Sequence, residues 1–192
     1  MPHRAGLTTE AVVEAASRLA DKDGLDQLTL ARVAQELGVR PPSLYEHVGG
    51  WEGLQKALRL RGFRLMADRS RRATMGRSGD DAVRALASEL RGFVRAHPGL
   101  YPATVKSAEG DTPEIQEAAR ELLEVYLAVL QGYGLRAKQA IHALRYLRSA
   151  LHGFISLELQ GGFGMPEDVD TSYRRLISAV TFDLRQWKRT KE

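Results

Sequence analysis

The 192-residue chain is 43% hydrophobic and 27% charged, with a net charge of +4 and a pI near 9.5. Such a composition supports a real core and one or two domains, and its mild positive charge is compatible with an anionic partner without establishing one. There is no cysteine, which excludes disulfides and cysteine-ligated zinc or iron–sulfur chemistry; a cytoplasmic setting without membrane contact is expected, since no apolar run is long enough to span a bilayer and MPHRAGLTTEAVVEAA lacks a signal-peptide core.

Helical periodicity runs through the whole sequence. Val12, Ala15, Ala16, Leu19 and Ala20 form one apolar stripe, with Thr8 or Thr9 as its cap and Gly24 as its stop. A second helix follows Thr29, with Leu30, Val33, Ala34 and Leu37 at i, i+3, i+4 and i+7, and ends at Gly38. The stretch RPPSLYEHVGG, residues 40–50, then holds a very short helix that starts at Pro42, where the missing N–H costs nothing. A fourth helix spans about 51–73 and a fifth 82–96. HPGLYP is too rich in proline for regular helix. Thr112-Pro113 opens a helix that reaches Gly132, and two long helices, 136–160 and 170–188, complete the chain. The expected fold class is all-α, with about nine helices.

The short helix makes sense as one half of a helix-turn-helix. Ala34 permits close approach, Gly38 turns the chain with a positive φ, and Val39 plugs the angle. Leu44 and Val48, four apart, point inward. Tyr45 and His47 point away, with Arg40, Pro42 and Ser43 at the tip. A stiff, presented helix of this kind suits insertion into a DNA major groove.

LTLARVAQELGVRPPSLYEHVGGWEGL, with LTTEAVVEAASRLADKDGLDQLTL before it, resembles the DNA-binding domain of the TetR family of transcriptional regulators. The segment SALHGFISLEL resembles a subgroup named for a Trp-His-Gly signature, with Leu151 standing in the Trp position before His152 and Gly153. The resemblance implies a helix-turn-helix domain over residues 1–50 and an effector-binding and dimerisation domain over 51–192, joined by the fourth helix. It implies DNA contacts at Thr29, Arg40, Pro42, Ser43, Tyr45 and His47. Trp51 departs from the pattern, because many members carry Lys at the start of that helix; bare amides there still offer a phosphate site. Pro42 has no N–H to donate, so base reading falls to Arg40, Ser43 and Tyr45.

On the same resemblance the partners are double-stranded operator DNA, a second copy of the chain and a small-molecule effector, mainly apolar or aromatic. Leu144, Leu147, Leu151, Leu176, Val180 and Leu184 are the expected dimer face, unless those stripes only fill the core of one chain. Phe93, His97, Tyr101, Thr104, Tyr126, Phe154 and Leu157 are candidates to line the effector site. The resulting expectation is a ligand-released repressor on a palindromic operator. No cofactor or metal is expected: the five histidines have no i, i+4 pair, and GxSxG, P-loop and HExxH motifs are absent, so an enzyme is not expected. The alternative from another class is a helical interaction module without sequence-specific DNA binding.

Overall fold

Thr8 opens the first helix as its cap, its hydroxyl accepting from the Ala11 amide at 3.2 Å. In this computed structural model residues 7–187 are described, and every regular element among them is helical. The helices are α1 (Thr9–Asp23), α2 (Leu30–Glu36), α3 (Pro42–Val48), α4 (Gly50–Thr74), α5 (Gly79–Ala96), α6 (Pro102–Val105), α7 (Pro113–Gln131), α8 (Ala137–Leu159) and α9 (Val169–Gln186), with a single 3₁₀ turn at Leu25–Gln27. The proline-rich segment expected to be irregular does form one short helix, α6, because Pro102 falls at its first position, where no N–H is needed.

Packing divides the chain into two units: the chain up to Leu65 together with Ala96–Ala118, and Met66–Arg95 together with the chain from Ala119. This division falls elsewhere than the functional boundary expected near residue 50, and polar ties within the first unit explain why. The Asp21 carboxylate, on α1, accepts from the amides of Gly99 and Leu100 at 3.1 Å each and meets His97 Nδ1 at 2.8 Å. Gly99 sits so close to the end of α1 that a Cβ there would fall 1.9 Å from the Ala20 carbonyl oxygen. Arg59, on α4, holds the segment after α6. Its Nε donates to Asp111 at 2.7 Å, and its terminal nitrogens donate to the carbonyls of Ala103, Lys106 (2.9 Å) and Ser107 (2.7 Å). Together these bonds fasten residues 97–111 to α1 and α4.

The core of the first unit is built on α1, which packs against α2 and α3 through Val12, Ala15, Ala16, Val33, Ala34, Leu44 and Val48, all buried. In the second unit α8 packs against α9 over Ala143, Leu147, Leu151, Ile155, Ile177, Val180 and Leu184. A charged cluster borders this apolar body, with Arg91 buried, Glu158 half-buried, and Arg95 and Asp170 exposed. The Arg91 Nε donates to Glu158 at 2.7 Å, Arg91 also meets Asp170 at 2.8 Å, and Arg95 donates to Glu158 at 2.7 Å. The Arg91 guanidinium lies 4.6 Å from the ring centre of Tyr173, whose hydroxyl donates to the Ala87 carbonyl at 2.7 Å. Hydrogen bonds from Arg91, reinforced by Arg95, hold the Glu158 carboxyl down at about 2.

Candidate nucleic-acid interface

Local backbone chemistry builds the helix-turn-helix. The Thr29 hydroxyl accepts from the Arg32 amide at 3.2 Å and caps α2. At the other end Gly38 takes φ +65, its amide donates to the Gln35 carbonyl (3.1 Å), and the Val39 amide donates to the Ala34 carbonyl (3.0 Å). This paired closure satisfies two orphan carbonyls and directs the chain sharply toward α3. Val39 is half-buried in the angle. Pro41, expected to avoid the α region ahead of another proline, adopts φ −51 and ψ −39. Two turn bonds offset that preference: the Ser43 amide donates to Arg40 and the Leu44 amide to Pro41, each at 3.0 Å.

α3 is only seven residues long, far below the length at which a helix is stable alone. Its position is imposed from outside. Leu44 and Val48 are buried. The Thr9 hydroxyl, at the start of α1, donates to the His47 carbonyl at 2.9 Å. Gly49, at φ +63, caps the helix through its amide to the Tyr45 carbonyl at 2.9 Å. Gly53 completes the support: a Cβ there would lie 1.7 Å from the Val48 carbonyl oxygen, so the first turn of α4 presses directly on the end of α3.

What remains in the open is the opposite side of α3. Arg40, Pro42, Ser43 and Tyr45 are exposed, Tyr45 at 57%, and His47 is half-buried. The Tyr45 ring lies over Gly50, where a Cβ would stand 3.3 Å from its Cε1. Thr29 is also exposed. The structure thus brings the six expected DNA-contact residues onto α3, its entry and the cap of α2. Much of the basic charge further along α4 is already committed. Lys56 bonds Glu52 at 2.6 Å, Arg59 holds the loop after α6, Arg69 pairs with Glu89, and Arg71 pairs with Asp68 at 3.2 Å and Glu121 at 3.3 Å.

The other expected site residues distribute differently. His97, Tyr101 and Thr104 belong to the first unit. His97 is engaged by Asp21, and the Thr104 hydroxyl donates to the Tyr101 carbonyl at 2.7 Å. Phe93, Tyr126, Phe154 and Leu157 belong to the second. Phe93 and Tyr126 are buried there. Phe154 packs on Phe163 and Tyr173 with centroids 4.7 and 5.0 Å away, and Leu157 is exposed. A groove of about 600 Å³ in the second unit is lined by none of these. Leu127, Gln131, Leu135, Arg136, Ala137, Ala140 and Ile141 form its wall.

Of the expected dimer residues, Leu144, Leu147, Leu151, Val180 and Leu184 are buried within the single chain and Leu176 is half-buried. Their stripes are consumed by packing of α8 on α9 and on the rest of the second unit, which leaves no apolar atom of Leu147 or Leu151 for a second copy. The exposed side chains on the same two helices include Ile141, Arg145, Arg148, Ser149, Arg175, Ser178, Ala179 and Phe182, besides Leu157 and Leu159 near the end of α8.

Sequence reasoning missed Gly53, Arg59, Asp21 and the role of Thr9. A glycine inside a helical pattern is a signal of close backbone approach, so Gly53 was findable. Arg59 and Asp21 act on segments 44 to 79 residues away, and no local pattern announces such a pairing.

A buried three-helix support with a short polar helix presented on a Gly-closed turn defines a helix-turn-helix DNA-binding protein. Comparison with known proteins agrees. Residues 12–58 match the family model described as "Bacterial regulatory proteins, tetR family", and residues 83–180 match "Tetracyclin repressor-like, C-terminal domain". The HTH-type transcriptional regulator Rv0681 of Mycobacterium tuberculosis is 40% identical over 168 residues, covering 87% of this chain and 76% of the relative. The HTH-type transcriptional regulator YobS of Bacillus subtilis is 36% identical over 185 residues, covering 96% and 93%. The chain belongs to the tetR family of bacterial transcriptional regulators: it is a DNA-binding regulator and not an enzyme. The segment likened to the Trp-His-Gly subgroup lies inside the matched C-terminal stretch. In fold, the chain is similar to the Streptomyces coelicolor TetR family protein ActR in complex with actinorhodin. The TM-score is 0.70 at 19% identity, covering 95% of this chain and 97% of that one. No helix among the described residues is long and apolar enough to cross a membrane.

Proposed function

We propose that the protein is a homodimeric repressor of transcription, released from an inverted-repeat operator by a small molecule and working in the cytoplasm. The observation that carries this reading is the exposed face of α3. A helix that cannot stand alone is braced from three sides, and the Arg40, Pro42, Ser43 and Tyr45 face is left open. Arg40 and Ser43 at the tip read base edges, Tyr45 and His47 meet the backbone or a base, and Thr29 meets a phosphate. Backbone amides at the start of α4 take the phosphate that a lysine at Trp51 would otherwise hold.

One such helix reads only a few base pairs, so two copies on a symmetric dimer are needed to read two half-sites about one helical turn apart or a multiple of it. The dimer face proposed is the outward side of α8 and α9. Ile141 and Phe182 are its apolar anchors and Ser149, Ser178 and Ala179 permit close approach. This replaces the leucine stripe, which the chain itself encloses. Release follows from differential binding: an effector that prefers the arrangement in which the two α3 helices are misplaced for DNA lowers operator affinity. α4 and α7 each supply residues to both units, so a ligand that resets either helix acts on both. The repressor reading is supported by the description of the C-terminal family model, and the small-molecule reading by the actinorhodin that the ActR structure holds.

Selection of the purified protein on a random DNA library tests this. Recovery of a single inverted repeat is expected. Recovery of an unpaired half-site would contradict the dimer, and recovery of no motif would contradict sequence-specific reading.

A further inference from the structure

Arg61 is placed unlike every other arginine described on α4. Its Nε is buried and is the one buried side-chain nitrogen or oxygen among the described residues that has no hydrogen-bond partner. Of the other arginines on α4, Arg59 is held by Asp111 and three carbonyls, Arg69 by Glu89, and Arg71 by Asp68 and Glu121, while Arg64 and Arg72 are exposed to water. Arg61 as a residue is half-buried, but it cannot shed a proton, and a buried donor such as its Nε without an acceptor is unfavourable enough that such atoms are rare. The residues one turn away on the same helix, Ala57, Leu58 and Leu65, offer no acceptor side chain. Adjacent Gly62 runs against Leu100 and Thr104, where a Cβ would fall 2.6 Å from the Thr104 Cγ2.

We propose that Arg61 is the polar contact for the effector, and that the effector is therefore a small molecule with an anionic oxygen group, carboxylate or phosphate, on an apolar body. The proposal rests on the ligand-released reading above and names the chemistry of its ligand. The anion completes the unmet donor through a charge-assisted bond, and apolar neighbours on α4 accept the rest of the molecule. Binding energy is thereby delivered to the helix that continues from the helix-turn-helix, which is where a release signal has to act.

The test uses octanoate, octyl phosphate and octanol at matched ionic strength, with thermal unfolding of the wild type and of Arg61→Met as the readout. The anionic probes should raise the wild-type midpoint more than octanol does. That surplus should vanish in Arg61→Met, with an anion affinity at least about tenfold weaker, equivalent to about 1.4 kcal/mol. The ligand-free variant should be no less stable than the wild type, because it loses no satisfied bond. Whichever of octanoate and octyl phosphate gives the larger surplus identifies the head group. An equal response in both proteins, no anionic surplus in the wild type, or a variant that fails to fold or loses stability as a broken ion pair does would each overturn the proposal. Arg61→Lys, which keeps a charge but removes Nε, should bind the anion more weakly than the wild type; full retention would also overturn it. Operator affinity is measured separately. Arg61-dependent anion binding that leaves operator affinity unchanged would contradict ligand release while the Arg61 site stands.

Discussion

Tyr45 carries the largest exposed aromatic surface on α3 and no structural duty there beyond its contact with Gly50. Tyr45→Ala should therefore weaken operator binding by about tenfold or more, the loss of one good contact, while leaving thermal stability unchanged. Gly53 has the opposite character. Its Cα lies against the Val48 carbonyl, with no room for a methyl group. Because both sides of that contact are backbone, Gly53→Ala must displace α3 or α4, at a cost of about 1–3 kcal/mol. Chemical denaturation should register the loss, and operator affinity should fall with it although residue 53 is not part of the proposed reading face. Glu158 is a third kind of residue, the half-buried partner of a buried arginine. Removing its charge in Glu158→Gln leaves Arg91 with Asp170 as its remaining carboxylate, and a loss of about 1.5–3 kcal/mol is expected in urea unfolding. The pH dependence has a definite sign. Arg91 and Arg95 hold the Glu158 carboxyl at about 2, below its ordinary 4.5, so its contribution is complete above pH 4.5 and is lost as pH falls toward 2. The wild type should lose stability over that window more steeply than Glu158→Gln does.

At the scale of elements, the sequence was most readable where local chemistry decides the structure. Thr8 and Thr29 as caps, Gly24, Gly38 and Gly49 as stops, and the start of α3 at Pro42 all follow from side-chain and backbone preferences within a few residues. The turn from α2 to α3 was legible for the same reason. The stripes on α8 and α9 were legible as buried faces but not as to what buries them, because periodicity reports that a face is covered and is silent about the covering partner. Leu147 and Leu151 are covered by their own chain. The ties that bring residues 97–111 to the helix-turn-helix were not legible, since Asp21 and Arg59 look like ordinary surface charges in the sequence. Their importance is testable. Asp21→Ala removes the single oxygen, Oδ1, that accepts from both the Gly99 and Leu100 amides, and with Oδ2 the partner of His97. It should cost about 1–3 kcal/mol, and those two amides should exchange with deuterium faster than in the wild type while the amides inside α8 keep their protection.

For the whole molecule, symmetry is the issue. A regulator that reads an inverted repeat needs a twofold partner, and the proposed face on the outward side of α8 and α9 offers two uncovered apolar anchors, Phe182 at 56% and Ile141 at 38% exposure. Phe182→Glu should halve the mass measured in solution without unfolding the chain. Leu147→Glu, by contrast, should unfold it, because that side chain has no exposure in the single chain. A dimer mass retained by Phe182→Glu would place the interface on another surface. Loss of the dimer should also lower operator affinity steeply, since each half-site alone supplies only part of the phosphate and base contacts.

If the open face of α3 reads DNA sequence, one ratio shows it: affinity for the selected inverted repeat over affinity for a scrambled duplex, at one fixed salt concentration. For the wild type this ratio should be about 10³ or more, with both affinities falling as salt rises. In a variant carrying Arg40→Ala, Ser43→Ala and Tyr45→Ala the ratio should collapse toward one while weak, salt-sensitive binding to both duplexes persists. A variant that keeps the wild-type ratio would mean that sequence is read by some other part of the molecule and not by α3.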